Sequence, residues 1–533
     1  MSAEGTTAAL SPGRERSLLV GLVLLAAVLR IWNLGVWPGF SGDEGRDVYF
    51  AWQVAETGTF QLHPVRPYFG PWQLWLTAPF IKLLGVGPFS ARLPLALLGI
   101  LVVPLAAAIG RRLGGPAAGL AAAALAAVAP IHVLFARLAL SVSALPALVL
   151  ATWWAWQRLR ARPNPRDAAL MGFFLGAAVA FHPQAMAVGL ALAASLVATR
   201  DLRALLRVDL AVGALLGFAA LGWVSWDVIL DQVGLGPGID YSGTWVDANG
   251  GKPFVQRLVG AVPITADVFA GGRLLHWVSG PSSADPPGEL LGQLLVAGAF
   301  VAATVRTART RSPEALALLA GVATIWLLTV VRSSDFDLSG LSRERYLLTT
   351  LVLATPWLAW GLVGSGQSRL DRLGGGALVL LLIQQTVALS AGFFAPMATT
   401  GGDAEPSFVS ARPDVKVEAA AWIRGRLGAD EEGLLLAGDS WSYWPVIAVA
   451  EDAYPSDYVP EDPAVCAEIL RTRDHRRRWL MDFAGWYWND AILRCLALAG
   501  LPDLQPAFVG RAEDDRPLLL IWELPPGTLD ALD

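Results

Sequence analysis

The sequence predicts a mainly α-helical, polytopic membrane protein with about 11 transmembrane helices and a C-terminal extracytoplasmic α/β domain. Of its 533 residues, 54% are hydrophobic and only 16% are charged. Soluble globular proteins are about 45–50% apolar and about 25% charged. The apolar excess is arranged in blocks of roughly 16–22 residues, lengths typical of helices that cross a bilayer. This composition excludes a soluble enzyme, a disordered chain and a coiled coil.

The apolar blocks predict eleven spans, which we place at roughly 17–37, 92–110, 115–132, 142–157, 168–182, 184–199, 209–226, 289–305, 313–331, 346–363 and 376–393. A further apolar segment, 71–85, is short and contains Pro79 and Lys82. We interpret it as a re-entrant or interfacial helix on the outer face. Together the spans form a predicted transmembrane region over residues 1–393.

Arginine clusters fall in loops on alternate sides of these spans. Lys and Arg in short loops mark the cytoplasmic side of a membrane. The pattern therefore predicts a multi-pass protein of a bacterial cytoplasmic (inner) membrane, with the N-terminus inside and the C-terminal domain outside. Large outer loops are expected at about 38–91 and 227–288.

Beyond residue 393 the apolar blocks stop and charge rises. Helical spacing predicts helices at 416–427 and 486–499, and apolar runs predict strands at 433–438, 479–483 and 517–523. Alternating helices and strands are typical of an α/β layer domain, which we assign to residues 394–533.

Cys466 and Cys495 are the two cysteines of the chain. A disulfide between them is plausible if the tail lies in an oxidising compartment. The alternative is two buried free cysteines.

Charge argues for chemistry at the outer surface. The net charge of −5 implies no nucleic-acid partner. The predicted spans are almost free of ionisable residues, which transporters that relay protons retain. A conduction path through the spans is therefore not expected.

The densest polar group follows the first span, at residues 41–49 (SGDEGRDVY). Asp43 and Asp47 are four apart and would share a helix face, with Glu44 about a quarter-turn away. Such carboxylates suit proton abstraction from a sugar hydroxyl or the binding of a divalent cation, Asp43 in particular. Alternatively, they are acidic residues favoured by the helix macrodipole at a helix start.

In its wider context this region resembles the membrane glycosyltransferases of the C superfamily, and above all the group that contains protein O-mannosyltransferases and the lipid A aminoarabinose transferase. The resemblance covers residues 17–200 and, less closely, 313–363. It is carried by segments 41–44, 51–58, 70–76, 84–85, 89–94 and 110–113, and by Arg345-Tyr346 ahead of Thr355-Pro356.

The resemblance implies a GT-C-like fold and a sugar donor carried on a polyprenyl phosphate. It implies transfer to a glycan, lipid or protein acceptor at the outer membrane face. A transferase on that face needs a lipid-linked donor, because nucleotide sugars are cytosolic. Asp43 would be the catalytic carboxylate and Glu44 its partner, with Asp47 on the same face in the substrate site.

The leaving lipid phosphate needs a cation at the outer interface. Arg345, next to Tyr346, is the favoured one because the Arg-Tyr pair matches the family. The alternative for each cation is a snorkelling interfacial side chain. His182 could contact substrate or cap a helix end. The full set of candidate phosphate-binding cations is Arg66, Lys82, Arg92, Arg137, Arg343 and Arg345.

The sequence also departs from the family. Members commonly carry an acidic residue after the third span, whereas residues 137–142 (RLALSV) contain none. This leaves a metal requirement open. The competing functions are a non-catalytic transporter or flippase of lipid-linked saccharides, and a membrane scaffold or sensor.

Overall fold

The computed structural model of the chain describes residues 11–59, 71–201, 207–222, 253–279, 288–332, 344–366, 368–399, 414–427, 432–438, 440–450, 456–459, 462–471, 476–485, 489–511 and 515–525. These residues form a helical body, which extends to Thr399, and a C-terminal unit of helices and strands, Val415–Leu524. The fold is therefore mainly helical with a small sheet.

The helices of the helical body are α1 Pro12–Ile31, α2 Gly42–Thr57, α3 Trp72–Leu84, α4 Pro88–Val128, α5 Pro130–Ala136, α6 Leu145–Ala161, α7 Pro165–Phe181, α8 Met186–Thr199, α9 Val208–Gly222, α10 Phe254–Ala270, α11 Gly272–Ser279, α12 Glu289–Thr310, α13 Pro313–Arg332, α14 Leu348–Val363, α15 Arg369–Leu389 and α16 Ala395–Thr399. Short 3-10 turns occur at Ser141–Ala144, Pro183–Ala185 and Glu344–Leu347. A helix lies over each predicted span, but the first ends at Ile31, before residue 37, because residues 32–37 form turns.

Helix α4 is a hairpin of two antiparallel helices. Its backbone leaves helical geometry at Gly114 and Gly115, and Gly115 has a φ of 78°. A Cβ on Gly110 would lie 2.7 Å from the carbonyl oxygen of Ala118. In one continuous helix these residues would be about 12 Å apart. The chain therefore reverses at the two glycines, between the spans predicted at 92–110 and 115–132.

Five helical stretches among the described residues are long and apolar enough to cross a membrane: Pro88–Val128, Glu289–Thr310, Pro313–Val331, Arg345–Val363 and Arg369–Thr399. Pro183–Thr199 and Val208–Gly222 are apolar but shorter. Helix α3 has 13 residues, which is about 20 Å and too short for a hydrocarbon layer of about 30 Å.

The C-terminal unit has a five-stranded mixed sheet of order β2-β1-β3-β5-β4. Strand β1 pairs in parallel with β2 and β3, whereas β5 pairs antiparallel with β3 and β4. The elements in chain order are α17 Val415–Arg426, β1 Gly433–Ala437, α18 Ser440–Ala450, β2 Ser456–Tyr458, α19 Pro463–Arg471, β3 Arg477–Phe483, α20 Asn489–Leu498, β4 Phe508–Arg511 and β5 Pro517–Leu524. The predicted helices and strands of the tail fall on α17, α20, β1, β3 and β5.

Apolar side chains cover both faces of this sheet. One cluster joins it to α17 and α18, and the other joins it to α19 and α20. The second cluster contains Cys466 and Cys495, which are disulfide-bonded, with Cα atoms 5.7 Å apart. Ala448 of α18 belongs to the core of the helical body, so the two parts of the molecule are in contact.

Candidate active site

Helix α2 begins with a capping box. The Ser41 hydroxyl oxygen accepts from the Glu44 backbone nitrogen at 3.4 Å, and Glu44 Oε2 accepts from the Ser41 nitrogen at 3.2 Å. This reciprocal pair satisfies two backbone donors that a helix start leaves unpaired. Gly58, in the left-handed region at φ 65°, ends the helix. The first turn of α2 is therefore fixed by local sequence.

Glu44 lies in a fully buried ion pair with Arg92 of α4. Arg92 Nε donates to Glu44 Oε1 at 2.8 Å and Nη2 donates to Oε2 at 2.7 Å. The Ala139 backbone nitrogen also donates to Oε1, at 2.7 Å. Both carboxylate oxygens are thus occupied. Glu44 is therefore enclosed in the protein and anchors α2 to α4, and its role as the partner of Asp43 stays a prediction.

The remaining donors of Arg92 bind backbone. Nη1 donates to the carbonyl oxygens of Leu34 and Pro38, and Nη2 to that of Gly39, at 2.8–3.0 Å. Arg92 is one of the six candidate cations for the donor phosphate. In the structure every nitrogen of its guanidinium is bonded inside the protein and the side chain is inaccessible.

Arg137, another candidate cation for the phosphate, also donates to backbone carbonyl oxygens. Its Nη1 donates to the Leu29 carbonyl oxygen at 2.9 Å, and its Nη2 donates to those of Trp32 and Trp37. The guanidinium also lies 5.4 Å from the ring centroid of Phe393. Arg137 is fully buried and holds together the chain that follows α1.

Asp43, by contrast, remains partly accessible, with 26% of its side chain exposed. Its Oδ1 accepts from Arg46 Nη1 at 2.9 Å. Its Oδ2 lies 3.8 Å from Nη1 of Arg345, which the 3-10 turn Glu344–Leu347 carries. The carboxylate predicted to be catalytic and the arginine predicted to bind phosphate are therefore neighbours.

Asp47 shares Arg46 with Asp43. Its Oδ1 accepts from Arg46 Nε at 3.1 Å and from Nη2 at 2.7 Å. Burial raises the pKa of Asp47 to about 6, against the opposing effect of the Arg46 charge. Asp47 therefore contributes to the site through Arg46.

His182 and Tyr346 lie on the same side of the molecule as Arg345. The Gln184 side-chain amide donates to the carbonyl oxygen of Tyr346, and the Gln184 backbone nitrogen donates to His182 Nδ1 at 3.2 Å. The Arg345 guanidinium lies 5.3 Å from the Tyr346 ring centroid. Gln184 thus links the turn Pro183–Ala185 to the turn that carries Arg345.

Of the remaining predicted cations, only Lys82 is among the described residues, and it is not part of this group. Lys82 is exposed at the end of α3, and its Nζ donates to the Ala55 carbonyl oxygen at 3.2 Å. Arg66 and Arg343 lie outside the described residues. We define the site as Asp43, Arg46, Asp47, Arg345 and Tyr346, with His182 and Gln184 beside it.

Sequence reasoning missed two residues of the site, Arg46 and Gln184. Arg46 carried a usable signal, since it stands three residues after Asp43, a spacing at which helical side chains meet. Gln184 carried none, because its partner Tyr346 is distant in sequence and joins it only through folding.

The surroundings of Asp43 do not fit a divalent cation. Two guanidinium groups, of Arg46 and Arg345, lie against its carboxylate, and a cation there would be repelled by both. Over the described residues, no group of three or more His, Cys, Asp or Glu is arranged to hold a metal ion.

Comparison with known proteins identifies relatives of the sequence and of the fold. Residues 63–226 match the sequence family described as dolichyl-phosphate-mannose-protein mannosyltransferase. The whole structure matches ArnT from Cupriavidus metallidurans in the apo state with a TM-score of 0.63 and 15% identity, covering 95% of this chain and 98% of ArnT. The chain therefore shares the fold of ArnT. The resemblance predicted from the sequence is confirmed.

Two further structures share this fold. ArnT bound to undecaprenyl phosphate matches with a TM-score of 0.62 and 14% identity, over 96% of this chain and 98% of ArnT. The Archaeoglobus fulgidus oligosaccharyltransferase in complex with Zn and sulfate matches with a TM-score of 0.53 and 12% identity, over 94% of this chain and 72% of that one. No curated protein matches the sequence. One fold hosts many reactions, so the fold by itself does not identify the reaction of this protein.

Proposed function

We propose that this protein transfers a sugar from a polyprenyl-phosphate-linked donor to an acceptor at the outer face of the cytoplasmic membrane. The observation that carries the proposal is the 3.8 Å approach of Asp43 Oδ2 to Arg345 Nη1. A carboxylate that can accept a proton and a cation that can bind a phosphate lie side by side and partly exposed. The C-superfamily fold and the undecaprenyl phosphate bound by ArnT support the choice of donor.

In this proposal Asp43 takes the proton of the acceptor hydroxyl as that oxygen attacks the anomeric carbon of the donor. The bond between the anomeric carbon and the phosphate oxygen breaks, and the lipid phosphate leaves as an anion that Arg345 holds. Donor binding draws Arg345 toward the phosphate and leaves Asp43 paired with Arg46 alone. General-base catalysis of this kind contributes about 10²–10⁴-fold to a rate.

The proposed topology has eleven spans, with α3 as an interfacial helix and the C-terminal unit, as a domain of residues 394–533, outside. The disulfide between Cys466 and Cys495 supports an outer location, because disulfides persist in oxidising compartments. Asp43 then lies just beyond the outer end of α1, on the same side as the C-terminal unit.

The test uses purified protein in liposomes with undecaprenyl phosphate linked to a hexose, a pentose or an aminopentose, and a membrane extract as acceptor. We expect wild type to release undecaprenyl phosphate and transfer the sugar. Asp43→Asn is expected to lose about 10²–10⁴-fold in kcat. Glu56→Gln is the matched control, because Glu56 is an exposed carboxylate on the same helix.

Binding of undecaprenyl phosphate separates the two roles. Arg345→Gln is expected to weaken it, whereas Asp43→Asn is expected to bind at least as tightly as wild type, because no carboxylate competes for Arg345. Equal transfer by wild type and Asp43→Asn would move the catalytic base elsewhere. Absence of transfer with all donors would favour the flippase or scaffold function.

A further inference from the structure

The first turn of α2 is packed directly against helix α18 of the C-terminal unit. A Cβ built on Gly45 would lie 2.6 Å from the carbonyl carbon of Trp444 and 2.7 Å from Cα of Pro445. These are backbone atoms, which cannot rotate away as a side chain can. Only glycine permits so close an approach of the two helices.

The Trp444 side chain extends this contact along α2. Its ring centroid is 5.9 Å from that of Tyr49 and 5.8 Å from that of Phe50. Such aromatic pairs contribute beyond the apolar area that they bury. The contact with α18 therefore spans more than one turn of α2.

This contact is on the back of α2 with respect to the proposed catalytic group. Residues advance by about 100° each around a helix, so Asp43 and Asp47 lie about 160° away from Gly45. Gly45 and Tyr49, four apart, share the face that meets α18. At Gly45 and Tyr49 the C-terminal unit thus supports α2 from the side opposite Asp43.

A second contact holds the chain just before α2. Asp414 Oδ2 accepts from the Phe40 backbone nitrogen at 2.8 Å, and Phe40 precedes the Ser41 cap. Asp414 Oδ1 accepts from the Lys416 nitrogen at 2.9 Å and thereby caps α17. One carboxylate therefore ties the start of α17 to the start of α2.

Buried charges link these contacts to the ion pair between Glu44 and Arg92. The Lys416 Nζ is inaccessible and lies 3.6 Å from Asp414 Oδ2. The charges of Glu44 and Arg92 also act on it, and burial lowers the pKa of Lys416. Charges interact more strongly in such a low-dielectric interior than in water. Asp414, Lys416, Glu44 and Arg92 thus link α17, α2 and α4.

We propose that the C-terminal unit is a positioning element of the active site, with Gly45, Asp414 and Trp444 as positioning residues for Asp43. The inference rests on the proposed function. Arg345 is carried by a different element, so the contacts with the C-terminal unit set the distance between base and phosphate site. A misplacement of about 1 Å can cost about 100-fold in rate.

The test is Gly45→Ala, which adds one methyl group on the back of α2. We expect kcat to fall at least about tenfold, while the KM for the undecaprenyl-phosphate sugar stays within about twofold, because the residue is remote from the donor. Gly425→Ala is the matched control, since Gly425 lies in helix α17 of the same unit with open space around its Cβ position. Its kcat and KM are expected to equal those of wild type.

Asp414→Ala and Asp414→Asn test the positioning role independently, in case Gly45→Ala does not fold. Asp414→Ala removes the acceptor for the Phe40 nitrogen, whereas Asp414→Asn retains one and should recover much of kcat. Melting temperature and the binding of undecaprenyl phosphate are measured for every variant. A fall in kcat with binding retained, and partial recovery by asparagine, supports the inference.

The outcomes separate this inference from the proposed function. If wild type transfers sugar and Asp43→Asn does not, but Gly45→Ala and Asp414→Ala keep kcat within twofold, the positioning role is overturned. A loss of donor binding as large as the loss of kcat also overturns it, because the unit would then act on substrate. Absence of transfer by wild type contradicts the proposed function, on which the inference rests.

Discussion

Arg46 stands between two carboxylates of its own helix, and at the scale of single residues this arrangement governs Asp43. It donates to Asp43 Oδ1 at 2.9 Å and to Asp47 Oδ1 at 2.7 Å. Because the two carboxylates share Arg46, the interaction of Arg46 with one of them weakens its interaction with the other. The pairing of Arg46 with Asp43 therefore depends on the ionisation of Asp47, which does not itself reach the exposed side of the site.

This dependence predicts an acidic limb in the pH profile of transfer. Burial raises the pKa of Asp47 to about 6, so Asp47 is ionised above that pH and protonated below it. Once it is protonated, Arg46 pairs with Asp43 alone and occupies the carboxylate that has to accept the proton of the acceptor hydroxyl. We expect kcat to fall several-fold as the pH drops through about 6.

The measurement is kcat from pH 5 to 8 for wild type, Asp47→Asn and the control Glu56→Gln. Asp47→Asn is expected to show the lowered kcat throughout, without a limb near pH 6, and Glu56→Gln to keep the limb. A limb that persists unchanged in Asp47→Asn would assign it to another group.

Helices α2 and α4 are joined by the Glu44–Arg92 pair, and at the scale of elements this pair fixes where α2 lies. Both side chains are inaccessible, and Arg92 also holds three carbonyl oxygens between α1 and α2. A buried pair is weak evidence for net stability, but removal of one partner leaves a charge without compensation. A single substitution of Glu44 or Arg92 is therefore expected to lower the stability of the protein strongly.

Glu44→Gln is expected to destabilise the protein by about 3–5 kcal/mol, since the Arg92 charge would remain buried without its counter-charge. Thermal unfolding in detergent measures the effect, with Glu56→Gln as the exposed control. The double variant Glu44→Gln/Arg92→Met, which removes both charges, should recover part of the loss. Equal melting temperatures for Glu44→Gln and wild type would contradict the anchoring role.

The molecule as a whole consists of a helical body and a C-terminal unit in contact with it. The disulfide joins α19 to α20 on the side of the sheet away from α17 and α18. It crosslinks residues 29 apart, a loop whose closure lowers the entropy of the unfolded chain. The crosslink therefore stabilises the unit that supports α2.

Cys466→Ala/Cys495→Ala is expected to lower the free energy of unfolding of the C-terminal unit by about 3 kcal/mol. Denaturant unfolding followed by tryptophan fluorescence measures it, with and without dithiothreitol. The reductant should lower the stability of wild type to that of the double variant, which it should leave unchanged. A wild type indifferent to reductant would argue that the bond contributes little.

Most of the helices could be predicted because their signals are local. Apolar runs are read along the chain, and the structure has a helix over each predicted span. The acidic first turn of α2, which contains Asp43, was also recognisable in the sequence. What could not be predicted was which ionisable side chains face a substrate.

The sequence by itself determined the membrane-protein character, the positions of most helices and the family resemblance, because composition, periodicity and short motifs are properties of the chain. Only the tertiary structure decided that Arg92 and Arg137 are enclosed, that Arg345 meets Asp43, and that Asp414 and Trp444 reach α2. The physical reason is that burial and charge pairing depend on contacts between distant segments. An arginine bound to backbone carbonyls and one left partly exposed look alike in sequence, and only folding separates an anchor from a binding group.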